Sequence, residues 1–334
     1  MYKSLDPTRK QLRFVALLPG SKTAKIECRL ITGAFGNDGR WYNEKRTRGG
    51  RLTSCNQVKY TALSYVWGST DEEQEIILDG QNVLIRKNLW SALLYLRSTS
   101  EPNYMWIDAI CINQADQSER SHQVGFMKDI FKSAEAVRVW LGEATNDTFK
   151  AFQLLKDATG QHRNREFWSH FLENCGALTA LLSRTYWERI WIVQEYAVAR
   201  QITIHCGNYS CRGAVLENML HVVDSAYEHY TLSHRFEDWG FRESELAALL
   251  EICQSPGVAM LRQQKVHKNP GSNWILLNLI EYYKYCKATD QRDKVYGLLG
   301  LASDTQCNEF PIDYAKPVSE VMDDVLEFYR SKEL

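Results

Sequence analysis

Short runs of alternating apolar and polar residues mark the first third of the chain as β-rich. QLRFVALL (11–18) and KIECRLI (25–31) read as strands flanking the turn PGSK. YTALSYVWG (60–68) reads as a further strand, and EIILDGQNVLI (75–85) as a hairpin turning at Asp79-Gly80. The period then becomes helical. Asn88 can cap a helix that lines up Leu89, Leu93 and Leu96. YMWIDAICI (104–112) is almost continuously apolar, as a strand buried on both faces would be. Asp116 and Glu119 have the spacing of a capping box. The helix they open would place Val124, Met127, Ile130, Phe131 and Ala134 on one stripe. AVRVWLG (136–142) and QITIHCG (201–207) complete the strands, with a helical stretch and WERIWIVQEYAVA (187–199) between them.

Strands and helices thus alternate from about 60 to 207, which predicts a mostly parallel sheet with helices on both faces. Ligands of such sheets bind beyond the carboxyl ends of the strands. After residue 212 the pattern is helical throughout, in RGAVLENMLHVVDSAYEHY, SELAALLEICQ, NWILLNLIEYYKYC and SEVMDDVLEFYR. RQQKVHKNPGSN (262–273) reads as a polar linker. The expected division is 1–212, with an α/β core at about 60–207, followed by a helical region at 213–334 packed on that core. The chain stops just after a helix, at SKEL, which is compatible with a longer protein.

Composition narrows the function classes. The 334 residues are 44% hydrophobic and 24% charged, ordinary for a globular protein. The net charge of -1 offers no global basic field for nucleic acid. EKRTRGGR (44–51) is the densest positive cluster and reads as a solvated hairpin or loop tip. No apolar run is long enough for a membrane span, and the polar amino terminus lacks a signal-peptide centre. Nine scattered cysteines suit reduced thiols in the cytoplasm. HCGNYSC (205–211) offers His205, Cys206 and Cys211, but no second cluster completes a zinc site, so free thiols are expected and no metal. His122 and His205 have no spaced partners and read as structural.

YTALSYVWG, WIDAICINQADQSERSHQVGFMKDIFKSAEAVRVWLG and WERIWIVQE together resemble the three blocks of the fungal heterokaryon incompatibility (HET) domain. QLRFVALLPG and RDKVYGLLGLA (292–302) resemble segments around it. The resemblance implies a role in non-self recognition and programmed cell death in filamentous fungi. It names a phenotype and no reaction. More distantly, the same order of elements resembles TIR domains, which have a flavodoxin-like fold. Ser64-Tyr65 matches the end of their first strand and Asp108 the acid of their second. Trp191 and Glu195 match the Trp and Glu of a later helix, with Ile192 where the TIR pattern has Cys. In NAD-cleaving TIR domains that glutamate is catalytic. The resemblance therefore implies a possible NAD glycohydrolase, with NAD as substrate and no resident cofactor, or a non-enzymatic module that signals by self-association.

The residues of 187–200 also speak for themselves. On a continuous helix, Trp187, Ile190, Trp191, Val193, Ala197 and Val198 form one apolar face, and Glu195 lies at its edge. Partial desolvation there raises a carboxylate's pKa. Loss of neutral nicotinamide leaves positive charge on the ribose, which one carboxylate can stabilise while aromatic walls hold the ring. The expected cleft combines Glu195 with Tyr65, Trp67, Gly68, Asp108, Asn113, Gln114, Arg120 and Trp191. The competing readings are structural. Glu195 pairs with Arg189, Arg120 or Arg184, or gives its role to Glu188. Trp67-Gly68 ends a strand and packs, and Asn113-Gln114 braces a turn. Arg120, a cation at a helix start, calls for a carboxylate or an anion as partner. Homo-oligomers or partner-induced assembly are expected, with neither nucleic acid nor a membrane span.

Overall fold

The structure, a computed structural model, describes residues 2–6, 9–36, 38–46, 52–160, 165–233, 243–267, 274–305 and 310–332. The amino-terminal strands are β1 (Gln11–Leu17), β2 (Glu27–Phe35), β3 (Trp41–Arg46) and β4 (Leu52–Gln57). They pair in sequence as an antiparallel meander. The β3–β4 hairpin is where the basic run EKRTRGGR falls; its residues 47–51 lie outside the described ones. β6 (Glu73–Leu78) and β7 (Gln81–Arg86) form the hairpin expected at Asp79-Gly80. Both turn residues have positive φ, 51° and 80°, as a two-residue turn matching the strand twist requires.

The strands of the alternating region are β5 (Thr61–Tyr65), β8 (Asn103–Trp106), β9 (Ala136–Trp140) and β10 (Ile202–Cys206). They are adjacent in the order β8-β5-β9-β10, and every pairing among them is parallel. The expected parallel block is therefore present. It belongs to a larger mixed sheet, because β1 joins β8 antiparallel and brings the meander with it. β11 (Tyr209–Arg212) closes the other end, antiparallel to β10. The chain leaves β5 toward β8, then returns across it to β9. That reversal creates a switch point between the carboxyl ends of β5 and β9.

The helices are α1 (Lys87–Leu96), α2 (Asp108–Cys111), α3 (Gln117–Val124), α4 (Met127–Ser133), α5 (Thr148–Asp157), α6 (Arg165–Leu182), α7 (Trp191–Ala197), α8 (Gly213–Ser233), α9 (Glu243–Gln254), α10 (Pro256–His267), α11 (Leu276–Tyr282), α12 (Asp293–Leu299) and α13 (Val318–Lys332). The apolar run 104–112 is a strand only to Trp106. Asp108 then opens the single turn α2, whose Ile110 and Cys111 stay buried. A continuous apolar run does not distinguish a buried strand from a buried helical turn. Asp116 caps α3 by accepting the Glu119 N–H, as expected. Glu119 does not return the bond to Asp116. It accepts the Asn113 N–H at 2.7 Å and pairs with the buried Arg13. The long stripe helix is divided in two, with Gly125 and Phe126 between α3 and α4. In 262–273, residues 262–267 are the end of α10 rather than linker. Arg262 binds Asp224 and Gln264 reaches the main chain of α7. Residues 268–273 lie outside the described ones.

Arg13 joins β1 to α3 through two bonds to Glu119, at 2.6 and 3.0 Å, and a third to the Cys111 carbonyl. Removing one partner of a buried pair strands the other charge. Glu119→Ala is expected to lower unfolding free energy by about 3–5 kcal/mol, read from urea denaturation. A change below about 1 kcal/mol places this pair among ordinary surface ion pairs.

Candidate active site

Successive residues of β5 face opposite sides of the sheet, so Ser64 and Tyr65 open two environments. On one side the Ser64 hydroxyl donates to Glu195 Oε2. The Tyr186 hydroxyl lies 2.7 Å from the same Ser64 oxygen and donates to it when Ser64 serves Glu195. The Arg189 guanidinium lies 3.9 Å from Glu195 Oε2. Arg189 Nη1 is buried and without a hydrogen-bond partner among the described residues. Glu195 is 3% exposed.

The continuous helix expected over 187–200 does not form. The segment 187–199 is not one helix. A 3₁₀ turn covers Thr185–Glu188, Arg189 is extended, and α7 starts at Trp191. The break has a visible cause. The Ile190 N–H donates to the Lys287 carbonyl at 3.0 Å, and the Lys287 N–H to the Glu188 carbonyl at 2.5 Å. Those groups are thereby taken from the intrahelical ladder. With phase lost at Arg189, Glu195 turns inward to β5 instead of lying at an apolar edge. Burial pushes its pKa from 4.5 up to about 7, against the opposing pull of Arg189 and Ser64. The upward direction is the one expected from its apolar surroundings.

Asp108 stands at the carboxyl end of β8 and keeps an edge in solvent. Its Oδ2 accepts the Trp67 indole N–H at 2.7 Å, and its Oδ1 the Ala109 N–H at 2.7 Å. Tyr65 is fully buried, and its hydroxyl pKa is raised first by that burial and then by the nearby Asp108 carboxylate. Desolvation raises the Asp108 pKa, with Arg189 the main opposing influence. Arg189 is thus the cation shared by two carboxylates from different elements.

The remaining expected residues divide. Gln114 Nε2 donates to the Asp108 carbonyl at 3.0 Å and braces this turn. Asn113 contributes main-chain bonds, to Glu119 and from Asp116. Gly68, at φ 83°, ends the β5 extension, and its carbonyl accepts from Arg86, whose guanidinium lies 5.2 Å over the Trp67 ring. Arg120 has the carboxylates its position called for, Asp290 at 3.2 Å and Asp293 at 4.0 Å. Its guanidinium also lies 3.7 Å over Tyr314. Trp191 comes near the same Asp293 and packs near Gly297. Arg120 and Trp191 therefore meet around α12, apart from the Glu195 contacts. Glu188, the local competitor, pairs with Lys287 at 2.8 Å. Cys206 and Cys211 are free thiols, and burial lowers the His205 pKa to about 4. A surface hollow of about 520 Å³ between α5 and β11, lined by Phe152 and Tyr209, shares no residue with this cluster.

Sequence reasoning gave Tyr186 no role and used Ser64 only as part of a resemblance. Ser64 carried a signal: it is the one buried polar side chain in β5. Buried hydroxyls need a partner. Tyr186 carried none.

Residues 60–195 match the family described as heterokaryon incompatibility protein (HET). Heterokaryon incompatibility protein 6, OR allele, of Neurospora crassa is 29% identical over 73% of this chain and 43% of its own length. The chain thus spans less than half of that curated relative. No solved structure matches. The matched segment opens one residue before β5 and ends on Glu195, so it holds three of the four parallel strands and the whole carboxylate cluster. Residues 60–195 are thus similar to the HET family, and the similarity to a heterokaryon incompatibility protein extends beyond them over 73% of the chain.

Proposed function

We propose that this chain is the HET-bearing part of a fungal cell-death effector of non-self recognition, and that its carboxylate cluster cleaves NAD at the nicotinamide–ribose bond. The observation that carries the chemical part is Glu195 beside Ser64 at the carboxyl end of β5, next to the switch point. The order β8-β5-β9-β10 is second-first-third-fourth along the chain, which supports a flavodoxin-like, TIR-like core.

The chemistry asks little of acid catalysis. Nicotinamide departs neutral with the bonding pair, the ribose acquires oxocarbenium character, and water adds to its anomeric carbon and releases a proton. Glu195, ionised, stabilises that charge from a desolvated position where electrostatic interactions are strong. Ser64 and Arg189 fix its orientation. Asp108 and Trp67 offer the polar and aromatic wall nearer solvent, backed by the buried Tyr65. NAD is substrate here and no resident cofactor is invoked. Ribose reaches Glu195 only when the segment around Arg189 lifts from β5. Cytoplasmic action and assembly into oligomers belong to the same proposal. The second reading, a module that signals by self-association without catalysis, draws on the same burial: a carboxylate this enclosed and this well partnered also serves as a fold determinant.

Glu195→Gln keeps the shape and the Ser64 bond while removing the charge. Nicotinamide release by protein assembled through a fused oligomerising tag is expected to fall at least about 100-fold. Assembled wild-type protein that leaves NAD intact removes the enzymatic reading and leaves self-association.

Titration gives a second test. The folded pKa, about 7, lies above the ordinary 4.5. Between those values the folded state holds the proton and the unfolded state has lost it, so wild-type stability falls as pH rises through this window and is flat above it. Gln at 195 does not titrate. The stability difference between Glu195→Gln and wild type is expected to rise by about 3 kcal/mol from pH 4.5 to 7.5, in favour of the variant, by urea denaturation. A difference independent of pH contradicts the raised pKa.

A further inference from the structure

The outer side of α7 is held by the helical region that follows residue 212. Gln264 of α10 donates to the Val193 carbonyl at 2.8 Å. Gly300, just after α12, closes on the side chain of Gln194, and Gly297 lies against the Trp191 ring. The strongest tie is at the break before α7. Lys287 exchanges two main-chain bonds with Glu188 and Ile190, in a parallel bridge to Arg189 itself, and its side chain pairs with Glu188. The residue that faces Glu195 is thus positioned by a segment about 100 residues away in sequence.

Three residues after Lys287, a second knot fixes the same loop. Asp290 accepts from Arg292 at 2.8 and 2.9 Å and from Arg120 at 3.2 Å. The Arg120 and Arg292 guanidiniums both lie against the Tyr314 ring, at 3.7 and 5.3 Å. Arg292 also bonds to the carbonyls of Tyr314 and Lys316, and Tyr314 donates to Asp293 at 2.5 Å. This knot ties α3, within the HET segment, to the loop that carries Lys287. Arg120 and Asp290 remain partly exposed, at 27% and 17% for their side chains. The loop is therefore fastened by a network that runs from this partly exposed edge to the buried Tyr314 and Asp293, and at Lys287 it bears on the residue beside a buried carboxylate.

We propose that the loop 287–293 is an autoinhibitory latch: by pairing with residues 188–190 it holds Arg189 and α7 against β5, and its release opens Glu195 to ligand. The latch concerns the regulation of the site proposed above and rests on that reading for its purpose, but its mechanics are measurable without any reaction. Release needs the Asp290 knot and the Lys287 bridge to part, while the parallel block stays folded. Substates of this kind, opening below global unfolding, are seen by amide hydrogen exchange.

The test uses the full chain and two variants. Asp290→Ala cuts the knot at its hub. Gln264→Met keeps side-chain bulk and removes one donor to α7, and its amide oxygen has no partner to lose. The expected result is exchange at 188–197 that is about tenfold or more faster in Asp290→Ala, and faster in the same direction in Gln264→Met, with β9 unchanged. Folded variants with wild-type exchange at 188–197 overturn the latch. So does acceleration that is equal in β9, since that reports general destabilisation. Should Asp290→Ala not fold, Asp290→Asn, which keeps the shape and removes the charge that holds Arg120 and Arg292, carries the test. Nicotinamide release separates the two proposals. Faster exchange with more cleavage supports both. Faster exchange with no cleavage supports the latch and counts against NAD chemistry.

Discussion

A carboxylate placed where water does not reach needs partners, and the site is organised by how Glu195 finds them. Ser64 supplies a hydroxyl from the end of β5, and Arg189 a cation at 3.9 Å from the strand-like break before α7. Neither partner compensates fully. Burial still dominates and the pKa rises to about 7. The break that carries Arg189 exists because Lys287 claims the main-chain groups on either side of it. One buried charge thus links the sheet, a helix and the carboxyl-terminal region. Disturbing any of the three alters the proton affinity of the same group.

The arrangement places poise and enclosure together. A carboxylate with a pKa near neutrality is suited to change charge at the pH of a cell, whereas one at 3% exposure cannot meet a substrate without movement. Asp108 shows the contrast within the same cluster: it shares Arg189 but keeps an edge toward solvent and a bond to the Trp67 indole.

Much of this was written in the sequence, and the reasons for the remainder are physical. The parallel block was legible because strand and helix periods alternate from Thr61 to Cys206. The hairpin was legible because Asp79-Gly80 is turn chemistry. Arg120 was legible because a cation at a helix start needs an anion, and Asp290 and Asp293 supply one. The mixed sheet was not legible, since the pairing of β1 with β8 brings together segments about 90 residues apart with no local signature. The inward turn of Glu195 was hidden for the same reason. Local spacing describes a continuous helix from Trp187, and only a distant main-chain partner at Lys287 interrupts it. Trp191 followed that change of phase and packs near Gly297.

Glu195 titrates near neutrality because it is buried beside Ser64 and Arg189. Carbon-detected NMR of the full chain labelled at glutamate side-chain carboxyl carbons, with Glu195→Gln assigning the resonance, measures this directly. The expected midpoint is about 7. A midpoint at the ordinary glutamate value, about 4.3, contradicts it.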